Sequence, residues 1–305
     1  MANQSWFKNL AYIAVLFFLF PLIPGLIEGM KKLYLRNFDT RTAVGVVPIK
    51  GTIYDSSSYV KQLNTFFKDQ DIKAILLKME CPGGASGASQ TVFNEILTLK
   101  KEHSKPVIAW VENMCASGGY YIAIAADHIV SSPSAIIGSI GVYSPFLFQL
   151  KDFLEYHKIK YAPVQAGYYK SATNPLQERT PEQTAMLQSL LDDTYNQFIT
   201  DVAQQRKLPI ENQKEWADGK IFTGKQALAL GLIDTIGAHA EVVNAIKQKA
   251  MIEKDIRWVH PPVKGGLFAS LSGEQKDTDD TSMVSHYVHQ ICSVLESRYG
   301  QQLIQ

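Results

Sequence analysis

Short apolar runs alternate with amphipathic segments through the first half of the chain. Residues 43–49, 73–79 and 106–111 are rich in Val, Ile and Leu, and this composition predicts strands. Between them, residues 57–68 and 89–101 repeat apolar side chains at helical spacing. Strands that alternate with helices are typical of parallel βαβ units. The pattern therefore predicts an α/β domain.

The second half of the chain is mainly helical by the same criteria. Thr180-Pro181-Glu182-Gln183 is a strong helix start, with Thr as the N-cap, Pro at the first position and Gln as the capping-box partner. This helix is predicted to continue to about Arg206. Further predicted helices cover residues 149–157, 224–230, 238–249 and 284–295. Short apolar pieces lie at 129–130, 135–137 and 140–143. A strand is predicted at 160–164. The polar residues 265–281 are predicted to form a linker or to be disordered.

The N-terminal segment predicts a membrane anchor. Residues 9–27 carry no charge, and about 20 apolar residues span a bilayer. A cleaved signal peptide and a buried core helix are the alternatives. Pro21 and Pro24 disfavour both, because they give a poor cleavage site and would interrupt a core helix. Only Lys8 precedes the segment whereas three basic residues follow it, so the charge bias alone would keep the main domain cytoplasmic.

Composition narrows the class of protein. Thirty Lys and Arg against 29 Asp and Glu give a net charge of +1, which argues against a nucleic-acid partner. With 46% hydrophobic and 19% charged residues, the chain is globular. Three scattered cysteines and no HExxH give no expectation of a disulfide framework, a metal or another cofactor. We expect three regions: an anchor at 1–36, a main globular domain at 37–262 and a polar tail at 263–305.

Two glycine-rich turns follow neighbouring predicted strands. Ser117-Gly118-Gly119 lies where a strand passes into a helix, and Cys81-Pro82-Gly83-Gly84 follows the preceding strand. The carboxyl ends of parallel strands meet at one sheet edge, so the Gly84 and Gly118 N–H groups could together hold an oxyanion. The alternative is a helix start in which Ser117 is only a cap.

A base for Ser117 is harder to identify. No histidine stands in a triad context. Lys170 lies in a loop flanked by tyrosines, where burial could lower its pKa enough for it to accept a serine proton. The alternative is a solvated loop lysine. Cys115 is a second possible nucleophile, since alternation along the strand would point it the same way as Ser117.

The motifs around these residues resemble the SppA signal peptide peptidases, serine peptidase family S49. The resemblance rests on four segments in order, over about residues 43–249: Cys81-Pro82-Gly83-Gly84, where the family usually has Ser first; Ala116-Ser117-Gly118-Gly119-Tyr120-Tyr121; Gly138-Ser139-Ile140-Gly141-Val142; and Tyr169-Lys170-Ser171-Ala172 with Pro175. Cys81, which replaces that serine, is expected only to pack.

The resemblance implies roles for five residues. Ser117 would be the nucleophile, Lys170 the general base and Ser139 the serine that orients the lysine. Gly84 and Gly118 would be the oxyanion donors. It also implies a ClpP/crotonase-like spiral fold, and a homo-oligomer in which neighbouring subunits share the Ser–Lys dyad.

The expected activity is that of a membrane-anchored serine endopeptidase acting on cleaved signal peptides or other extended hydrophobic peptides. The resemblance places it in the bacterial inner membrane as a single-pass protein. Its catalytic domain would lie outside the cytoplasm, against the charge bias.

Two other functions remain open on this type of fold. A crotonase-like acyl-CoA enzyme would use the same paired N–H donors but needs a carboxylate base, for which Glu112 is the nearest candidate. A non-catalytic membrane scaffold would not need Ser117, Ser139 and Lys170.

Overall fold

The computed structural model describes residues 39–144 and 148–261, together with Leu26, Gly29, Met30, Leu33 and Tyr34. The predicted anchor segment 9–27, the linker at 265–281 and the helix at 284–295 lie outside the described residues, apart from Leu26. Among the residues described, no helix combines the length and apolar character needed to cross a bilayer. The three-region division of the chain stays a prediction.

The elements in chain order alternate between strand and helix up to β4. They are β1 (Thr42–Ile53), α1 (Ser57–Lys68), β2 (Ile72–Gly84), α2 (Ser86–His103), β3 (Val107–Ala116), α3 (Gly118–Ala123), β4 (His128–Ser131), β5 (Ile136–Gly138), α4 (Lys151–Tyr156), α5 (Pro181–Arg206), a 3₁₀ turn (Ile210–Asn212), α6 (Gln213–Trp216), β6 (Ile221–Thr223), α7 (Gly224–Ala229), β7 (Thr235–Ile236), α8 (His239–Ala250) and β8 (Ile256–Val259).

These strands form one sheet that is almost entirely parallel. Its order is β6-β5-β3-β2-β1-β8, and β4 pairs with both β3 and β7. The β5–β6 pair is antiparallel, whereas the other pairs are parallel. Parallel neighbours require a crossover, and α1 and α2 supply it between β1, β2 and β3. The predicted α/β class is confirmed.

Alternation along the strands divides the core between the two faces of the sheet. Leu77, Val111 and Cys115 belong to the larger cluster, which packs against α1, α2, α3 and α5. Leu76 and Ile108 belong to a smaller cluster on the opposite face, covered by α8. The face of the sheet that carries the larger cluster is called the front.

Two helix starts are formed as the sequence predicts. At Thr180 and again at Thr223, the side chain accepts a hydrogen bond from the N–H three residues on, and the glutamine there closes a capping box. Helix α5 ends at Lys207 in the left-handed conformation (φ 54°). The predicted end near Arg206 is therefore confirmed.

The predicted strand at 160–164 is wrong. These residues are exposed and belong to no strand, and the apolar piece at 140–143 is also a loop. A strand is defined by its hydrogen-bonded neighbour, and neither segment is paired with a strand among the described residues. Conversely, β6, β7 and β8 were not anticipated, because they are two to four residues long and are defined by long-range pairing.

Candidate active site

Ser117 occupies a strained turn between β3 and α3. Its backbone has φ 51° and ψ −126°, a conformation that L residues rarely adopt. Two hydrogen bonds hold it, from Ser117 N to Gly138 O (2.7 Å) and from Tyr121 N to Ser117 O (2.9 Å). The turn breaks the alternation of β3 and presents the Ser117 side chain at the sheet edge. Strain of this kind is found at functional positions more often than elsewhere.

The end of β2 lies directly against this serine. Gly83 and Gly84 have φ of +114° and +154°. A Cβ built on Gly83 would lie 2.7 Å from Ser117 Cβ and 3.0 Å from Gly118 N. Only glycine permits both the backbone conformation and this close approach. The expectation that the two turns meet at one edge is therefore confirmed.

Two backbone N–H groups converge beside Ser117. Ala85 N donates to Ile53 O on β1, so the preceding amide of Gly84 points the other way, toward β3. Gly118 is the first residue of α3, where the N–H has no partner within the helix. A Cβ built on Gly118 would lie 3.4 Å from Gly84 N. The arrangement matches a pair of donors for an oxyanion.

A pocket opens next to these donors, with an empty volume of about 280 Å³ that includes its open mouth. Its lining consists of Gly84, Ser86, Ser89, Ser117, Gly118, Tyr121, Gly141, Val142, Thr194 and Phe198. Sequence reasoning missed Ser86, Ser89, Thr194 and Phe198 as site residues. The first two could have been found, because they open the helix that follows the Gly84 turn. The last two reach the site only through the packing of α5.

Among the described residues that line the pocket, Tyr121 has the one titratable side chain, and it is not a base. Its hydroxyl donates to Asp201 Oδ2, and its ring stacks on Phe198 at 4.4 Å between centroids. Burial, with the Asp201 hydrogen bond, raises the pKa of the Tyr121 phenol above its usual value. Among the described residues, Ser117 therefore has no proton acceptor in its own pocket.

Ser139 lies close to Ser117 through the backbone. Gly138, which accepts the Ser117 N–H, directly precedes it, and Ser139 N donates to Lys220 O at 2.7 Å. Ser139 is half-buried and also has a positive φ of 51°. The structure thus brings four of the five predicted residues to one place: Ser117, Ser139, Gly84 and Gly118.

Lys170 is the exception. It lies in an exposed turn, where Lys170 N donates to Gly167 O at 3.1 Å. Its ammonium group makes no hydrogen bond or ion pair with any described residue. The described residues therefore do not provide the apolar burial expected for a basic lysine.

Helix α5 separates this turn from the pocket. Gln183 Nε2, in its first turn, donates to Tyr168 O at 3.0 Å and so attaches the Lys170 loop to the start of the helix. Phe198, which lines the pocket, follows 15 residues later on the same helix. At 1.5 Å of rise per residue, these two positions are about 22 Å apart. The Lys170 loop is thus bonded to the start of α5, whereas the pocket lies against the middle of the same helix.

Two alternatives from the sequence do not fit the geometry. Cys115 is fully buried in the front core, outside the pocket lining, and burial raises the pKa of its thiol well above the usual value. The turn at Ser117 breaks the alternation that would have pointed both side chains the same way. Glu112 alternates with the front-facing Val111, so it lies on the back of the sheet, where it pairs with Lys78 at 3.3 Å.

Sequence comparison agrees with this geometry. Residues 99–253 match the profile of a family described as "Peptidase family S49". The chain is 33% identical over 228 residues to "Putative protease MJ0651" of Methanocaldococcus jannaschii, covering 74% of this chain and 72% of the relative. The chain belongs to peptidase family S49. Ser117, Ser139 and Lys170 all fall inside the matched range, whereas Gly84 precedes it.

Other S49 relatives have more specific names. A protein of Enterococcus faecium named "Putative signal peptide peptidase SppA" is 30% identical over 196 residues, covering 64% of this chain and 56% of the relative. "Serine protease SPPA, chloroplastic" of Arabidopsis thaliana is 30% identical over 210 residues, covering 68% of this chain and 30% of the relative. The S49 assignment also disfavours the acyl-CoA enzyme and the scaffold.

Proposed function

We propose that this S49 peptidase is a serine endopeptidase with Ser117 as nucleophile and Lys170 as general base. The observation that carries the proposal is the strained Ser117 turn with the Gly84 and Gly118 amides beside it. Ser117 Oγ would attack a peptide carbonyl, and the two N–H groups would stabilise the oxyanion that forms. Lys170 would take the serine proton and return it to the leaving amine, and Ser139 would orient its amine.

We further propose that the dyad forms between two copies of the chain. The pocket of one chain holds no base among the described residues, and Lys170 of that chain does not line it. The segment that carries Lys170 also exposes several large apolar side chains: Phe148, Phe153, Tyr156, Ile159 and Val164. A second copy covering this segment would bury them and could desolvate the lysine. Desolvation favours the neutral amine that a general base must be.

The substrate proposed here is an extended, mainly apolar peptide, including cleaved signal peptides. Tyr121, Val142 and Phe198 give the pocket apolar walls next to Ser117. The uncharged segment 9–27 would anchor the protein in a bacterial inner membrane, with the catalytic domain outside the cytoplasm. Such a position would bring the site close to peptides released from the bilayer. The fold would be the ClpP/crotonase-like spiral.

A serine-directed probe tests the nucleophile. The full chain treated with a fluorophosphonate should gain one covalent adduct on Ser117, and it should cleave a quenched fluorogenic peptide with an apolar sequence. The matched variant Ser86→Ala removes a hydroxyl from the same pocket and should still be labelled. Ser117→Ala should be neither labelled nor active. Absence of both labelling and cleavage in the wild-type oligomer contradicts the proposed function.

The pocket wall on α5 should control which side chain is accepted. Thr194→Phe narrows the pocket, and we expect kcat/KM to fall about tenfold or more for peptides with Leu or Phe before the scissile bond. Peptides with Ala there should change little. The matched control is Thr200→Phe, because Thr200 makes the same helix-internal hydrogen bond but is exposed. An equal loss for both peptide classes would place the substrate side chain elsewhere.

A further inference from the structure

Cys81 makes a specific contact with the turn that supplies one oxyanion donor. The residue is fully buried at the end of β2, two residues before Gly83. Its sulfur accepts a hydrogen bond from Gly83 N at 3.3 Å. A side-chain acceptor bonded to the N–H two residues later is the pattern by which Asp, Asn, Ser and Thr fix tight turns. Here a thiol does the same.

This hydrogen bond fixes a peptide that cannot be satisfied by solvent. A buried backbone N–H without a partner destabilises the conformation that leaves it so. Gly83 has a positive φ of +114° and lies against both Ser117 and Gly118. The Cys81 thiol also donates to Gly83 O at 3.8 Å, which belongs to the same peptide group as the Gly84 N–H. A change in the Gly83 backbone dihedral angles would turn that peptide group, and with it the Gly84 N–H, away from the pocket. The Cys81 sulfur opposes that rotation.

The same side chain also touches the other turn. A Cβ built on Gly119 would lie 3.0 Å from Cys81 Sγ and 2.9 Å from Cys81 O. The first turn of α3, which supplies the Gly118 N–H, therefore packs directly on Cys81. Burial raises the pKa of the Cys81 thiol to about 11, so the group stays neutral at ordinary pH. A neutral sulfur can hold both turns without placing a negative charge beside an oxyanion.

We propose that Cys81 is a positioning residue for the reaction, setting the spacing and orientation of the turns that carry the Gly84 and Gly118 donors. The inference rests on the proposed function, since it assigns those donors to the transition state. It differs from the expectation that Cys81 only packs. Packing would require sulfur's volume, whereas positioning requires its capacity to accept a hydrogen bond.

Three substitutions separate the two roles. Cys81→Ser keeps an acceptor in a smaller side chain and should retain kcat within about threefold. Cys81→Ala is close in size to the serine variant but has no acceptor, and Cys81→Val places a larger apolar group there, also without an acceptor; each should lower kcat about tenfold, the effect of losing roughly one hydrogen bond in the transition state. KM should stay within about twofold, because the oxyanion donors act after substrate binding.

Cys115→Ala is the matched control. Cys115 is the register partner of Cys81 on β3 and is equally buried, but its thiol makes no hydrogen bond with the described residues. Its removal should leave kcat within about twofold. Thermal unfolding of all four variants identifies any that fail to fold. If Cys81→Ala fails to fold, the kcat values of Cys81→Ser and Cys81→Val are compared instead.

A failure of the proposed role of Cys81 can be distinguished from a failure of the proposed function. A wild-type enzyme without peptidase activity overturns the function itself. An active wild type with Cys81→Ala or Cys81→Val equal to it in kcat overturns the positioning role, as does Cys81→Ser losing as much as Cys81→Ala. A fall in kcat confined to the variants without an acceptor supports it.

Discussion

Ser117→Ala and Lys170→Ala, each inactive alone, should regain activity when the two chains are assembled into one oligomer. A site built from Ser117 of one chain and Lys170 of its neighbour is intact wherever a Lys170→Ala chain supplies the serine and a Ser117→Ala chain supplies the lysine. With random assembly of equal amounts, about one site in four meets this condition. Co-expression with two different affinity tags, tandem purification and a peptide-cleavage assay would measure it.

The control for this experiment is the double variant Ser117→Ala/Lys170→Ala co-assembled with each single variant. Neither mixture can supply both groups, so both should stay inactive. Hetero-oligomers of the two single variants that remain inactive would place the dyad within one chain. Full activity of Lys170→Ala alone would exclude this lysine as the base.

Gly118→Ala should lower kcat at least about 100-fold, which is the usual cost of losing one oxyanion donor. The reason is contact, because Gly118 has no positive φ and its backbone tolerates alanine. Its new Cβ would lie 2.3 Å from Ser89 Oγ and 3.1 Å from Ser89 Cβ. Ser89 is fully buried and donates to Ala85 O at 3.0 Å, so moving it aside would break this hydrogen bond inside the core. The first turn of α3 must then shift, and with it the Gly118 N–H.

A second substitution tests this explanation. Ser89→Gly removes both clashing atoms, so Ser89→Gly/Gly118→Ala should recover at least tenfold in kcat over Gly118→Ala. Ser89→Gly alone measures the cost of the lost side chain, and steady-state kinetics on one fluorogenic peptide compares all three. A double variant as slow as Gly118→Ala would mean that the added methyl group blocks the donor by another route.

Local chemistry explains which elements were predictable. Helix α1 was predicted to the residue, and the capping boxes at Thr180 and Thr223 define helix starts through contacts within four residues. The juxtaposition of Ser117 with Gly84 was also predictable. It follows from parallel strands whose carboxyl ends share one edge, and this requires no knowledge of side-chain packing.

Long-range packing explains what could not be predicted. Thr194 and Phe198 reach the pocket because α5 crosses the front of the sheet, and Tyr121 and Asp201 hold it there. No local pattern in α5 indicates this contact. The strand prediction for residues 160–164 is wrong for a related reason. Their composition suits a strand, but no neighbouring strand among the described residues pairs with them.

The single-chain pocket, with no proton acceptor among the described residues, has a consequence for how such an enzyme would be kept safe in the cell. A newly made chain would be latent, with a hydroxyl no more reactive than any other serine. If the dyad forms between chains as proposed, hydrolysis would begin only after subunits associate, so dilution would lower the activity and a higher local concentration would raise it. Subunit assembly would then control the onset of activity, as removal of a pro-segment does in other proteases.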